Sequence, residues 1–100
     1  MVYEVRIRPE AERDVRRAFS WYEKQRSGLG RELVAELDAV YKRLSENPYL
    51  YADIRNGVRR AIVRRFPYAL FYLVAETEVR VLAVIDMARN PAVWEKRTDN

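Results

Sequence analysis

The chain has 100 residues, of which 19 are basic and 15 acidic, and it contains neither histidine nor cysteine. This length supports one hydrophobic core, so a single domain over residues 1–100 is expected. The absence of cysteine excludes disulfides, and the absence of histidine removes the usual general base and the commonest zinc ligand. No window approaches the roughly 18 apolar residues of a membrane span, and no signal-peptide core is visible. We therefore expect a cytoplasmic protein with no metal and no cofactor.

The first quarter of the chain predicts a strand followed by a helix. Residues Val2 to Arg8 alternate apolar and charged side chains, which indicates a half-exposed strand. Pro9 suits the first turn of a helix, and Gly28 follows the predicted helix end. A helix from about Glu10 to Arg26 is expected. Its apolar face would consist of Ala11, Val15, Ala18, Phe19 and Tyr22.

A second amphipathic helix is predicted from about Leu29 to Glu46, where apolar residues recur every three or four positions. Asn47-Pro48 ends this pattern, because proline cannot continue a helix. The short connection between the two helices predicts an antiparallel helical hairpin. Its apolar stripe must be buried, and a sheet is the only candidate surface.

The second half of the chain predicts a loop and three strands. The segment from Tyr49 to Gly57 is read as the loop, and strands are expected at about Val58 to Arg65, Tyr68 to Ala75 and Val79 to Ile85. The predicted fold is α+β: an N-terminal strand, an antiparallel helical hairpin and a three-stranded antiparallel meander, with the helices on one face of the sheet. The last two strands are apolar on both faces, so we expect a partner or a groove to cover the second face.

The last third of the chain carries a recognisable pattern. It consists of Arg65-Phe66-Pro67-Tyr68, Tyr72, the strand Val79 to Ile85, Asp86, Ala88-Arg89-Asn90-Pro91 and Trp94. This pattern resembles that of the RelE/ParE superfamily of bacterial toxins, and within it the ParE-like branch. The resemblance covers essentially the whole chain. It implies the toxin of a type II toxin–antitoxin, or plasmid-stabilisation, module, which would inhibit DNA gyrase by binding it and would be neutralised by a cognate antitoxin in a hetero-oligomer.

The resemblance marks candidate residues for binding the target. They are Arg65, Tyr68, Asp86, Arg89 and Trp94. Asp86 stands where many ParE-like chains carry histidine, and a carboxylate cannot donate a hydrogen bond at neutral pH. We predict that Asp86 pairs with Arg89 or with Arg65. Tyr68 either lines a groove or belongs to the core, and Trp94 either packs on the sheet or marks the target-binding surface.

An acid-free run from Arg55 to Arg65 supplies further candidates. Those for binding an acidic antitoxin, or for a basic surface, are Arg55, Arg59, Arg60 and Arg64. In a regular strand Arg60 and Arg64 would share one face and Arg59 the other, so the cluster would not form a single patch. The alternative is that these arginines are solvated and protect an edge strand from pairing with other chains.

Two alternative functions are retained. Toxins of the RelE type cleave mRNA on the ribosome without a metal, and by rough alignment this chain offers Ala69 and Trp94 where that branch places arginine and tyrosine. Indole cannot exchange a proton as a phenol does, so we predict no catalytic residues. The second alternative is a degenerate family member that only binds its antitoxin.

Glu32 and Glu36, one turn apart on the second helix, are interpreted as a solvated face.

Overall fold

The structure is a computed structural model, and it describes residues 2–88 and Arg97. Its elements in chain order are β1 (Glu4–Ile7), α1 (Pro9–Gln25), α2 (Leu29–Glu46), β2 (Asp53–Arg55), β3 (Val58–Ile62), β4 (Tyr68–Ala75) and β5 (Glu78–Asp86). The second helix has the predicted bounds, and the first begins and ends one residue earlier than predicted. In the described part of the chain, no helix is long and apolar enough to cross a membrane.

The strands form one five-stranded sheet in the order β1-β5-β4-β3-β2. Strands β3, β4 and β5 make the predicted antiparallel meander, whereas β1 pairs with β5 in parallel. The parallel pairing follows from the connection, because the helical hairpin carries the chain across the sheet between β1 and the meander. The α+β class is confirmed, although the sheet has one strand more than predicted, β2 at its edge.

The loop predicted from Tyr49 to Gly57 is wrong at its centre, where β2 pairs with β3. The turn between them contains Asn56 and Gly57, both with positive φ, at 50° and 86°. Asp53 holds this turn, since its carboxylate accepts the Gly57 N–H at 3.1 Å. Asn-Gly is the strongest short signal for a hairpin, but the strand before it is too short and polar to show an alternating pattern.

The main core lies between the helices and one face of the sheet. Leu33, Leu37, Val40 and Leu44 form the buried stripe of α2. They lie in one cluster with Ala11 and Ala18 of α1 and with Val79, Val81 and Val84 of β5. Each fully buried leucine or valine contributes roughly 1.5–3 kcal/mol relative to an exposed one. The alternating residues of β1 are confirmed as half-buried on this side, since Tyr3, Val5 and Ile7 pack against the same cluster.

A β-bulge in β5 changes which residues face the helices. Phe71 pairs with Ala83 while Tyr72 pairs with Val81, so Leu82 is the extra residue. Leu82, Ala83 and Ile85 therefore join a second cluster on the opposite face, with Val58, Ala69 and Phe71. These side chains are only 0–7% exposed. Their burial within the chain corrects the expectation that a partner or a groove covers this face.

Candidate functional site

An open groove of about 490 Å³ lies between α1 and the ends of β4 and β5. It is lined by Asp14, Arg17, Ala18, Trp21 and Tyr22 from the helix and by Pro67, Tyr68, Val84, Ile85 and Asp86 from the sheet. The helical residues recur at three and four positions, so they belong to one side of α1. Two predicted target-binding residues meet here, because Tyr68 and Asp86 are direct neighbours in the β4–β5 ladder.

An aromatic cluster forms one end of the groove. Tyr22 lies at its centre, with its ring 4.9 Å from Trp21, 5.0 Å from Phe66 and 6.1 Å from Tyr68, measured between centroids. All three contacts are edge-to-face, the arrangement that aromatic quadrupoles favour. Burial, and to a smaller degree the charge of Asp86, raise the pKa of Tyr22. Its hydroxyl therefore stays protonated over the physiological range.

Asp86 ends β5 on the sheet side of the groove and is half-buried. Its carboxylate accepts the N–H of Ala88 at 2.9 Å, which closes a turn directly after the strand. The predicted ion pair with Arg65 is wrong, because the guanidinium of Arg65 binds carboxylates of α2 instead. The alternative partner, Arg89, lies outside the described residues, as do Asn90, Pro91 and the candidate Trp94.

Arg65 joins the β3–β4 turn to the second helix. Its guanidinium lies 2.6 Å from Glu32 and 3.6 Å from Glu36. Glu32 also binds Arg26 at 3.0 Å, so the carboxylate bridges the two arginines. The interpretation of Glu32 and Glu36 as a solvated face is therefore wrong. The contact is made although Arg65 has φ at 70°, a conformation that is costly for a residue with a Cβ atom.

The arginine run does not form one patch, in agreement with the alternation of side chains along β3. Arg59 turns toward the helix side, donates a hydrogen bond to the carbonyl of Tyr51 at 2.6 Å and lies 4.9 Å from the ring centroid of Tyr49. It holds the loop before β2, so its role is structural in large part. Arg55, Arg60 and Arg64 are exposed and stay candidates for a basic surface.

A largely buried ion pair that sequence analysis missed joins α1 to Arg97. Asp14 of α1 and Arg97 approach to 2.7 Å, with side chains only 13% and 19% exposed. Both also bind the edge of β5: Asp14 accepts the N–H of Val84 at 3.0 Å, and Arg97 donates to the carbonyl of Leu82 at 3.1 Å. Since β1 pairs with β5 only as far as Val81, these backbone groups have no neighbouring strand. The ion pair satisfies them in its place.

This fold is shared by known protein structures, and the sequence matches a family model. No curated protein matches the sequence. The fold is similar to a solved structure of the chromosomal ParDE toxin–antitoxin system from P. aeruginosa, with a TM-score of 0.75 and 17% identity over 85% of this chain and 96% of that one. It is also similar to the toxin–antitoxin complex RelBE2 from Mycobacterium tuberculosis, with a TM-score of 0.63 and 25% identity over 86% of this chain and 99% of that one. The family model of the ParE toxin of the type II toxin–antitoxin system parDE matches residues 5–91. The chain therefore belongs to the ParE toxin family of type II toxin–antitoxin systems.

Proposed function

We propose that this ParE-family toxin inhibits DNA gyrase by binding it in the bacterial cytoplasm, and that a cognate antitoxin neutralises it in a hetero-oligomer. Such a pair would stabilise the plasmid or chromosomal segment that encodes it. Family membership supports the toxin–antitoxin part of the proposal. The choice of gyrase depends on the chemistry that the described side chains can offer.

The observation that carries this choice is the environment of Ala69. By the rough alignment that the family resemblance implies, this residue stands where the RelE-type branch places an arginine, and here it is fully buried in β4. Its neighbours in the ladder are Ile62 and Ile85, so the position is apolar in all directions along the sheet. Loss of one transition-state electrostatic donor typically costs about 100- to 1,000-fold in rate. With no histidine in the chain to move a proton, binding is favoured over RNA cleavage.

The antitoxin is expected to be acidic where it contacts the basic surface of the toxin. The toxin carries a net charge of +4, and Arg60 in β3 and Arg64 in the β3–β4 turn are exposed. Opposite charge accelerates association and disfavours wrong partners. The two similar solved structures are of a toxin–antitoxin system and of a toxin–antitoxin complex, which supports an antitoxin as the partner.

A second function is favoured by one specific observation. RelBE2 is similar to this chain at 25% identity, so a ribosome-dependent mRNA interferase with ribosome and mRNA as partners is the alternative. In that case the chain would be a metal-independent endoribonuclease. A family member that only binds its antitoxin is the remaining alternative, and Asp86 in place of the usual histidine is the feature that favours it.

One pair of assays separates these functions. The purified toxin is incubated with DNA gyrase and relaxed plasmid, and in parallel with programmed ribosomes and mRNA. Inhibition of supercoiling with intact mRNA is the expected result. Codon-specific cleavage with normal supercoiling would support the interferase, and inactivity in both assays together with tight antitoxin binding would support the degenerate member.

A further inference from the structure

The groove between α1 and the sheet carries three features that the fold itself does not require. Trp21, on the helical side of the groove, is 56% exposed. Arg17, also on the helix, and Asp86, on the sheet, line the same groove. Among residues 2–88 and Arg97, neither of these two charged side chains forms an ion pair. An exposed tryptophan in a groove lined by charges of opposite sign is typical of a surface that a partner covers.

Trp21 is held in a defined orientation although it is exposed. Its ring stands perpendicular to that of Tyr22, which in turn packs on Phe66 of the buried core. A rigid aromatic side chain loses little conformational entropy when a partner covers it, which is why such residues dominate binding energies. Trp21 therefore has the properties of an apolar anchor for a ligand in the groove.

The charges of the groove are arranged by side. Arg17 belongs to the helical rim and Asp86 to the sheet rim, where its charge acts on the hydroxyl of Tyr22. The other acid of the groove, Asp14, is already neutralised by Arg97 at 2.7 Å. One positive rim thus faces one negative rim. Charges of opposite sign on the two sides of a groove fix the direction in which a ligand lies, because the reversed ligand would meet like charges.

We propose that this groove binds a segment of a partner protein that sets an acidic side chain against Arg17, a basic side chain against Asp86 and an apolar side chain against Trp21. The volume of about 490 Å³ suits a few side chains of one segment. A nucleic acid is disfavoured, because its phosphates would face the carboxylate of Asp86. The proposal deepens the antitoxin partnership proposed above and rests on it for the identity of the partner.

The charge preference of the groove is testable without that partner. The ¹⁵N-labelled toxin is titrated with N-acetyl-arginine methylamide, N-acetyl-glutamate methylamide and, as a neutral reference, N-acetyl-glutamine methylamide. The arginine probe is expected to shift the amides of Tyr68 and Asp86 and the indole N–H of Trp21, and Asp86→Asn should abolish these shifts. The shifts that the glutamate probe causes should depend on Arg17 in the same way, and Arg17→Gln should abolish them.

Matched variants outside the groove make this result decisive. Asp38→Asn and Arg13→Gln remove exposed charges of the same type from α2 and α1, and they are expected to leave the shifts unchanged. Equal shifts in Asp86→Asn and in the unmodified toxin, or shifts by the neutral probe of the same size, would overturn the charge assignment.

The partner itself is tested by calorimetry with the product of the adjacent reading frame. Asp86→Arg is expected to weaken its binding at least about tenfold, because like charges would meet in the groove, whereas Asp38→Arg should bind as tightly as the unmodified toxin. Unchanged binding by Asp86→Arg, with its melting temperature retained, would overturn the groove as the contact. If the neighbouring product does not bind at all, the antitoxin proposal fails, while the probe titration still decides the chemistry of the groove.

Discussion

The guanidinium of Arg65 lies 2.6 Å from the carboxylate of Glu32, so the turn that leads into β4 is tied to the second helix. This contact spans 33 positions in the sequence. It gives Arg65 a structural role beside the predicted target-binding role, and the two can be separated by substitution. Any loss of activity in an Arg65 variant must therefore be compared with its effect on the turn.

Arg65→Gly and Arg65→Ala are expected to differ in stability. Both variants lose the ion pair with Glu32, but only glycine adopts the positive φ of 70° without strain. The left-handed conformation costs a residue with a Cβ atom about 1–2 kcal/mol. We expect the glycine variant to be about 1 kcal/mol more stable than the alanine variant in denaturant unfolding, after part of the gain is lost to chain entropy. Equal stability would show that the turn relaxes around Arg65.

Removal of the Glu32 charge is expected to make thermal stability depend less on pH in the acid range. Hydrogen bonds from Arg65 first, and from Arg26 second, lower the pKa of Glu32 below its ordinary 4.5. The ionised carboxylate thus stabilises the fold above that value, and the contribution is lost as the pH falls through the lowered pKa. The melting difference between wild type and Glu32→Gln should be largest near neutral pH and shrink in acid.

A control variant guards this pH prediction against general charge effects. Glu46→Gln removes an exposed carboxylate at the end of the same helix. Its melting difference from wild type is expected to change less with pH. A Glu32→Gln difference that stayed constant from neutral to acid pH would contradict the assigned role of the two arginines.

Loss of the Asp14 carboxylate should be among the most destabilising changes in α1. The group is 13% exposed, binds Arg97 at 2.7 Å and accepts the N–H of Val84. Breaking a buried pair typically costs about 3–5 kcal/mol, because the remaining charge is left without compensation. We expect Asp14→Ala to cost about 3 kcal/mol in chemical denaturation. A double-mutant cycle with Arg97→Ala should give a coupling of about 1–3 kcal/mol.

The exposed pair of the same helix serves as the control for this cycle. Glu12 and Arg16 are 3.9 Å apart and 56% and 69% exposed. Glu12→Ala is expected to change stability by less than about 1 kcal/mol. A coupling near zero between Asp14 and Arg97 would show that the ion pair contributes nothing beyond the two separate side chains.

Gly30→Ala is expected to be destabilising, although alanine favours helix formation. A Cβ atom at Gly30 would lie 2.8 Å from the carbonyl oxygen of Phe19, so the two helices would have to separate. Overpacking of this kind typically costs about 1–3 kcal/mol, against about 1 kcal/mol of gained helix propensity. At Ala39, an exposed position of the same helix, the order should reverse and alanine should be more stable than glycine. Thermal unfolding of the wild type, of Gly30→Ala and of Ala39→Gly measures the sign of each difference in stability.

The helices could be predicted from the sequence because their apolar residues recur within a few positions. The stripe Leu33, Leu37, Val40 and Leu44 needs no knowledge of the sheet to be recognised. The strand β2 could not be predicted in this way, since its residues Asp53–Arg55 are all exposed and only Asn56-Gly57 marks the turn. The bulge at Leu82 was invisible for a related reason: it shifts the register by one residue without any glycine or proline to mark it.

The site was predicted only in part. Contacts within the meander could be expected from the sequence, whereas contacts between the sheet and the helices could not. Tyr68 and Asp86 meet because the predicted antiparallel meander brings the start of β4 beside the end of β5. The partners of Arg65 lie on α2 and Arg97 binds α1, and no local pattern encodes such distant contacts. Trp21 had a usable signal, since a tryptophan outside the apolar face of an amphipathic helix points to a binding surface.

Variants at the remaining target-binding candidates, Arg89 and Trp94, should separate target binding from folding. If the toxin inhibits gyrase by binding, these side chains supply the charged and aromatic contacts that commonly dominate an interface, and Arg89→Ala or Trp94→Ala should raise the concentration for half-inhibition of supercoiling about tenfold or more. The melting temperature is expected to stay near that of the wild type. Arg13→Ala, at an exposed position of α1, is the control and should inhibit as the wild type does. Full inhibition by both variants would contradict the role of these two side chains in target binding, whereas codon-specific mRNA cleavage that either of them abolishes would favour the interferase.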